Sequence, residues 1–537
     1  MRWIMTLVRY AQRLLPRSLR SAFADASLTR KASFNAASSL LDYGARLVVG
    51  FLLTPVMVLG LGTYYYGMWQ IIMRSVGYLS PTSGRPTEAL KWTLAHGQSS
   101  IDGDQKRTHV GSAIVVALLF LPLTLCVGAI LVWFIPIWFK APAAYVAPIR
   151  LAVGFLVLNM AVTSFASIPQ SVLQGENLAY KRMGLSVLLV FGGGAFTLLA
   201  LYLGLGIAGV AAAAFAYTVV SGAFYLVVAR RYAPWFGVRF PPFRETRAFL
   251  GLSFWFMIWN LVMTLMISSD VIILGLYDSV QQAGDYALTK YAPETTIMIV
   301  AMIVFGVTPG LGGIIGSGDR RRAARVRGEI MSMTWLLVTA LCTTVLLWNR
   351  VFIGLWVGDR HYLGTLATLL IVLVVTQFVF IRNDANIIDL TLKLPIKVSL
   401  GFFSAALGII LGAILIGRYD QGVIGLSIGL LVGRSVLSVA YPAMIGRFLG
   451  VPLRSQVFGV VRPATVTAAL FVLAVAADNA RATYTLPFAR TWVGFFVLAG
   501  LSFGATALIG YGVGYTRMQR QATVHRVRVL LGRPQTP

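Results

Sequence analysis

The stretch RRRAARVRGEIMSMTWLLVTALCTTVLLW, residues 320–348, decides the fold class. Five arginines, Arg320, Arg321, Arg322, Arg325 and Arg327, stand just before a run from Ile330 to Trp348 that holds no charged side chain. Nineteen helical residues rise about 28 Å, close to the hydrocarbon thickness of a bilayer. A tryptophan closes the run, as expected at a membrane interface, and the basic flank belongs on the cytoplasmic side. The stretch reads as one transmembrane helix.

Outward from it, runs of similar length begin near Ser33, Tyr64, His109, Tyr145, Tyr180, Ile207, Ala248, Ala283, Leu363, Ile396, Val423, Val457 and Thr491, which makes fourteen. Basic connections alternate with charge-poor ones. One side holds Lys106, Arg107, Lys181, Arg182, Arg230, Arg231, Arg239, Arg244, Arg247, Lys393, Lys397, Arg447, Arg454 and a basic tail; the other offers little beyond Lys140, Arg150, Arg360, Arg418, Arg481 and Arg490. The even count and this asymmetry predict both termini in the cytoplasm.

Composition agrees. Apolar residues make up 58% of the 537 and charged ones 12%, about half the share in soluble proteins. With 45 Lys and Arg against 18 Asp and Glu, the net charge is +27. Its dispersal among short loops points to an anionic membrane leaflet and away from nucleic acid. The first residues add an amphipathic element, with Trp3, Leu7, Val8, Ala11, Leu14 and Leu15 at helical spacing and Arg2, Arg9 and Arg13 elsewhere on the wheel. Arg9 and Arg13 interrupt any signal-peptide core, so an uncleaved arm is expected. Cys126 and Cys342, both in apolar runs, read as small buried hydrophobes.

Several chemistries find no support. No Lys follows a Gly, which excludes a Walker A loop; the four histidines are scattered and form no metal-ligand cluster; no connection exceeds about 20 residues, which leaves little room for a polymerase or ligase site. No cofactor or metal is expected.

Charge inside the spans is costly and therefore points to function. Arg46, Arg74 and Arg434 fall near the middle of the first, second and twelfth spans, and three guanidiniums at one depth suggest an anion site. Asp42, one turn from Arg46, can pair with it. The eighth span carries Lys290 and Glu294, opposite Asp270 on the seventh. The tenth is polar toward its end, with Arg382, Asp384, Asn386 and Asp389. Substrate candidates are thus Arg46, Arg74, Lys290 and Arg434, and ion-coupling candidates Asp42, Asp270, Glu294, Asp384 and Asp389.

An internal echo bears on organisation. Val56-Met57-Val58-Leu59-Gly60-Leu61 at the end of the first span matches Val271-Ile272-Ile273-Leu274-Gly275-Leu276 at the end of the seventh. Such an offset predicts a parallel repeat with a site between the halves. The expected divisions are an arm (1–31), a six-span lobe (32–230), a basic linker (231–247), a second six-span lobe (248–447), a final helix pair (448–516) and a basic tail (517–537).

With these features the chain resembles the polysaccharide-transporter branch of the MOP superfamily, which includes Wzx-type flippases. The resemblance rests on Ser33-Phe34-Asn35-Ala36-Ala37, on Pro55 before Leu59-Gly60, on Tyr66-Gly67-Met68-Trp69-Gln70 and on Ser171-Val172-Leu173-Gln174-Gly175. It implies an all-α, MATE-like fold and a central cavity lined by the first, second, seventh and eighth spans, which Arg46, Arg74, Asp270, Lys290 and Glu294 would face. It also implies translocation of a polyprenyl-pyrophosphate-linked oligosaccharide across the bacterial inner membrane, in company with the bilayer and other polysaccharide-assembly proteins. A peptidoglycan-precursor flippase and a multidrug or cation antiporter are the neighbouring alternatives. Drug exporters of this superfamily, however, fit an acidic cavity better.

Overall fold

The computed structural model describes residues 28–96, 102–316, 318–389, 394–480, 487–517 and 519–521. Most of the expected arm and tail lies outside them. Among the described residues the chain is helical and has no strand. Twelve stretches are long and apolar enough to cross a membrane. The first, Ser38–Thr82, is two spans, because α1 (Leu28–Gly77) breaks at Gly62. A further helix, α10 (Val280–Gly316), has 37 residues and no charge after Glu294. Together these give the fourteen spans of the sequence reading, in a multi-pass membrane protein.

The residues fall into two compact units that divide between Ile272 and Ile273. In the first, α1 is followed by α2 (Leu79–Thr82), α3 (Pro86–His96), α4 (Gly103–Trp138), α5 (Ala143–Ala166), α6 (Ile168–Gly175), α7 (Met183–Tyr202) and α8 (Gly206–Tyr232). The unit also takes in most of α9 (Phe243–Tyr277). Helix α5 packs on α4 and α8, α8 on α7, and α7 on α1.

The second unit holds α10, α11 (Arg320–Trp356), α12 (Thr365–Asp389), α13 (Leu394–Tyr419), α14 (Gly422–Leu449), α15 (Leu453–Asn479) and α16 (Trp492–Ile509), which ends in a π turn, Gly510–Gly514. Here α12 packs on α11 and α14, and α14 on α13. Third-on-fourth, fourth-on-sixth and fifth-on-sixth contacts therefore recur in both units, as the echoed sequence predicts. The final pair, α15 and α16, packs on α11.

Glycine lets α13 and α14 approach backbone to backbone. A Cβ on Gly429 or Gly433 would collide with Gly412 or Gly408 on the facing helix, the small-residue packing of membrane helices. Proline acts in two ways. Pro55, Pro122 and Pro136 lie inside long helices, whereas Pro81 and Pro169 sit in the short helices α2 and α6, each of which follows a break at the end of a span. The connection before α9 is pinned to α4. Arg107 Nε donates to Trp235 O at 2.8 Å, and Arg239 pairs with Asp104 at 2.9 Å.

One expectation is corrected. Cys342 is buried, but Cys126 is exposed. The α4 run around Cys126 is apolar on every side, so nothing in its periodicity marks an inner face.

Candidate functional site

In the first unit the charged groups gather where α1 meets α7 and α8. Asp42 and Arg46 lie one turn apart on α1, yet they do not pair. Asp42 Oδ2 instead meets Arg182 Nη2 at 3.1 Å, both side chains nearly buried. Arg182, read from sequence as part of a basic connection, opens α7 and turns inward. Its Nη1 donates to Ser186 Oγ at 3.0 Å and reaches Tyr225 OH at 3.4 Å, and its guanidinium lies over the Tyr225 ring. Lys181 beside it stays with the rings of Tyr180 and Tyr232. The sequence offers no sign of this, because adjacent basic residues at a span end read alike until the packing is known. With Asp42 drawn to Arg182 across the unit, Arg46 is left exposed, beside Tyr217 of α8.

Position makes Arg46 unusual. It stands about 24 Å along the helix axis from the break at Gly62, so it is far from that end of its span. Among the described residues it joins no ion pair. Its guanidinium is exposed within a long apolar stretch, where lipid would not solvate it.

Arg74 lies in the last turn before the chain breaks at Tyr78, half-buried, where a helix C-terminus favours a cation. Just past that break Tyr78 OH meets Ser269 Oγ of α9 at 2.8 Å. Asp270 is the next residue, 2% exposed, and accepts from its neighbour Val271 N at 2.9 Å. Asp270 thus belongs to the same compact unit as Arg46 and Arg74.

In the second unit Lys290 is buried on α10, 4.0 Å from Glu294 and over the Tyr286 ring. Arg434 does not stand alone in an open space. It is buried between α14 and α12, where Nη1 donates to Val374 O at 3.2 Å and the guanidinium covers Phe378. The remaining carboxylates hold cations that had been assigned to connections: Asp384 meets Arg327 at 2.9 Å, and Asp389 meets Lys397 at 2.6 Å.

Two further networks escaped the sequence reading. His361 Nδ1 contacts Asp285 Oδ1 at 2.6 Å and its Nε2 accepts from Arg360 Nε at 3.1 Å, which ties the start of α10 to the loop before α12. Asp478, 1% exposed, takes Arg350 at 3.2 Å and accepts from Tyr362 OH at 2.9 Å and Thr365 Oγ1 at 2.6 Å. Burial, assisted by the Asp478 charge, raises the Tyr362 phenol above its ordinary value. Both networks join residues distant in the chain, so no local spacing reveals them. Among the described residues no group of three His, Cys, Asp or Glu could hold a metal.

Comparison with known proteins places this geometry. Residues 28–309 match the family described as "Polysaccharide biosynthesis protein". No curated protein sequence matches. Among solved structures, the lipid II flippase MurJ in an inward closed conformation is 13% identical with a TM-score of 0.57, covering 92% of this chain and 99% of that one. An inward-facing MATE-family multidrug transporter of the MOP superfamily is 14% identical with a TM-score of 0.57, covering 76% and 98%. A MOP-superfamily transporter from Pyrococcus furiosus, whose binding pocket is described as of reverse polarity, is 14% identical with a TM-score of 0.55, covering 79% and 96%.

Proposed function

Because the chain belongs to the polysaccharide biosynthesis protein family of the MOP superfamily, we propose that it flips a polyprenyl-pyrophosphate-linked oligosaccharide across the bacterial cytoplasmic membrane for surface-polysaccharide assembly, with both termini in the cytoplasm. The observation that carries this reading is Arg46, a cation within the first span that is exposed, in no ion pair among the described residues and beside Tyr217. A guanidinium at that depth needs water or an anion around it. Its planar fork matches the two oxygens of a phosphate, and pyrophosphate supplies that anion while the polyprenyl tail remains in lipid. Arg74 contributes the second cation from the end of its broken helix.

The chain offers no nucleotide loop, so uphill transport draws on a gradient. One charge crossing the membrane is worth about 2.3 kcal/mol per 100 mV. Glu294 beside Lys290, together with Asp270, forms the coupling set. The test is flipping of defined lipid-linked oligosaccharides in proteoliposomes, with lipid II as a parallel substrate. Transport of the polyprenyl-pyrophosphate oligosaccharide that is lost in Arg46→Ala supports the reading. Transport of lipid II alone, or unaltered flipping by Arg46→Ala, overturns it.

A further inference from the structure

Inside the second unit lies a cavity of about 350 Å³ between α11, α12, α14 and α15, within the roughly 300 to 1,000 Å³ range of ligand pockets. Neither Arg46 nor the Lys290–Glu294 pair lines it, and the proposed transport function does not use it.

Its wall is graded from polar to apolar. Helices α11 and α15 start at the same basic end and α12 finishes there. Arg327, Gln456 and Asp384 consequently sit together at that end. Trp335 follows Arg327 by eight residues, about 12 Å deeper, and meets Phe380 with ring centroids 4.5 Å apart. Arg327 gives Nε and Nη2 to Asp384 Oδ1 and Nη1 to Gln456 Oε1. Three of its five N–H groups are thereby used, and two remain for an incoming acceptor. The surrounding end is basic. Arg454 follows the lining residue Leu453 and extends over Phe458, and Arg320 extends over Phe448.

Two glycines show that the space is kept open. Gly328 and Gly459 line the cavity within helices, and a Cβ on either would meet nothing within 4 Å. Neither is needed for close packing, in contrast to Gly429 and Gly433. Each still carries the conformational cost of glycine inside a helix.

A polar mouth with basic residues around it, above an aromatic, apolar floor, matches one molecular shape. We propose that this cavity binds an anionic, phosphate-headed bilayer lipid, with its phosphate at Arg327 and Arg454 and one chain running inward against Trp335 and Phe380. The substrate's polyprenyl phosphate shares the phosphate-and-chain chemistry, so the test has to separate the two.

Purified full-length protein is examined by native mass spectrometry after delipidation and titration with phosphatidylglycerol, phosphatidylcholine or undecaprenyl phosphate. One tightly retained phosphatidylglycerol is expected, held at least tenfold better than phosphatidylcholine and lost in Gly328→Leu/Gly459→Leu, which fills the space. A chain-brominated phosphatidylglycerol should quench the part of the tryptophan emission that Trp335→Phe removes, a readout that does not depend on the filled variant folding. Equal retention by the filled variant, or no quenching assignable to Trp335, overturns the proposal. Preferential retention of undecaprenyl phosphate overturns the bilayer-lipid assignment by giving the cavity to the substrate's tail.

Discussion

In the second unit Lys397 meets Asp389 and Arg350 meets Asp478, each cation held by one carboxylate. In the first unit Asp42 is matched in the same way by Arg182, and Arg46 is left exposed, in no ion pair among the described residues. The two regions use one residue chemistry for opposite ends. A closed pair neutralises its own desolvation cost and holds helices in register. A cation outside such a pair keeps its donors for something that arrives later. The difference lies in partners, since Arg46 and Arg350 each stand on a long helix that crosses the membrane.

The contrast breaks most sharply if a closed pair is opened. Asp478→Ala leaves the partly buried Arg350 without its carboxylate and should cost about 3 kcal/mol of stability, seen as loss of folded protein in denaturant titrations. The double variant Arg350→Met/Asp478→Leu should recover most of that loss, and a double variant as unstable as the single one would show that the pair is not the source. Arg46→Ala should leave stability within about 0.5 kcal/mol and remove a charge-assisted contact worth about 1.5 to 3 kcal/mol, read as a roughly tenfold to hundredfold fall in proteoliposome flipping. Arg46→Lys should recover part of it, since charge survives and the fork does not.

A finer test concerns coupling. Glu294→Gln should keep binding of the lipid-linked sugar and remove the dependence of transport on proton or sodium gradients; unchanged gradient dependence would leave Glu294 as a structural partner of Lys290. The smallest expected effect is alkaline. The Tyr362 phenol has a raised value in the fold, so the unfolded chain releases this proton first. Its contribution is complete below about pH 10 and is lost as pH rises above that. Tyr362→Phe should flatten that part of the stability profile, and an unchanged slope would remove Tyr362 from it.

Much of the fold was legible because span length, apolar runs and basic flanks are local properties. The stretch from Arg320 to Trp348 carries all three, and the echo of Val56–Leu61 in Val271–Leu276 announced the repeated packing of α4, α5, α7 and α8 in α11 to α14. The candidate site was legible only as a set of residues. Arg46 could be found by its depth, but that Asp42 would turn from it to Arg182 depends on how α1 packs against α7, which no periodicity encodes. Likewise Arg327 and Lys397 look like flanking charges until Asp384 and Asp389 are seen to hold them. Helices apolar on every side, such as α4 around Cys126, hide which face is inside.

Gly62 has one more consequence. Its backbone (φ 77, ψ 166) lies where only glycine sits without strain, and it is the single residue between the first and second spans. There is no loop to absorb movement, so the two spans form a crank with one pivot. The segment bearing Arg46 and the segment that ends near Arg74 stay joined at that point, and the angle between them is set at Gly62. Extra residues beside Gly62 would add slack and let each cation move on its own.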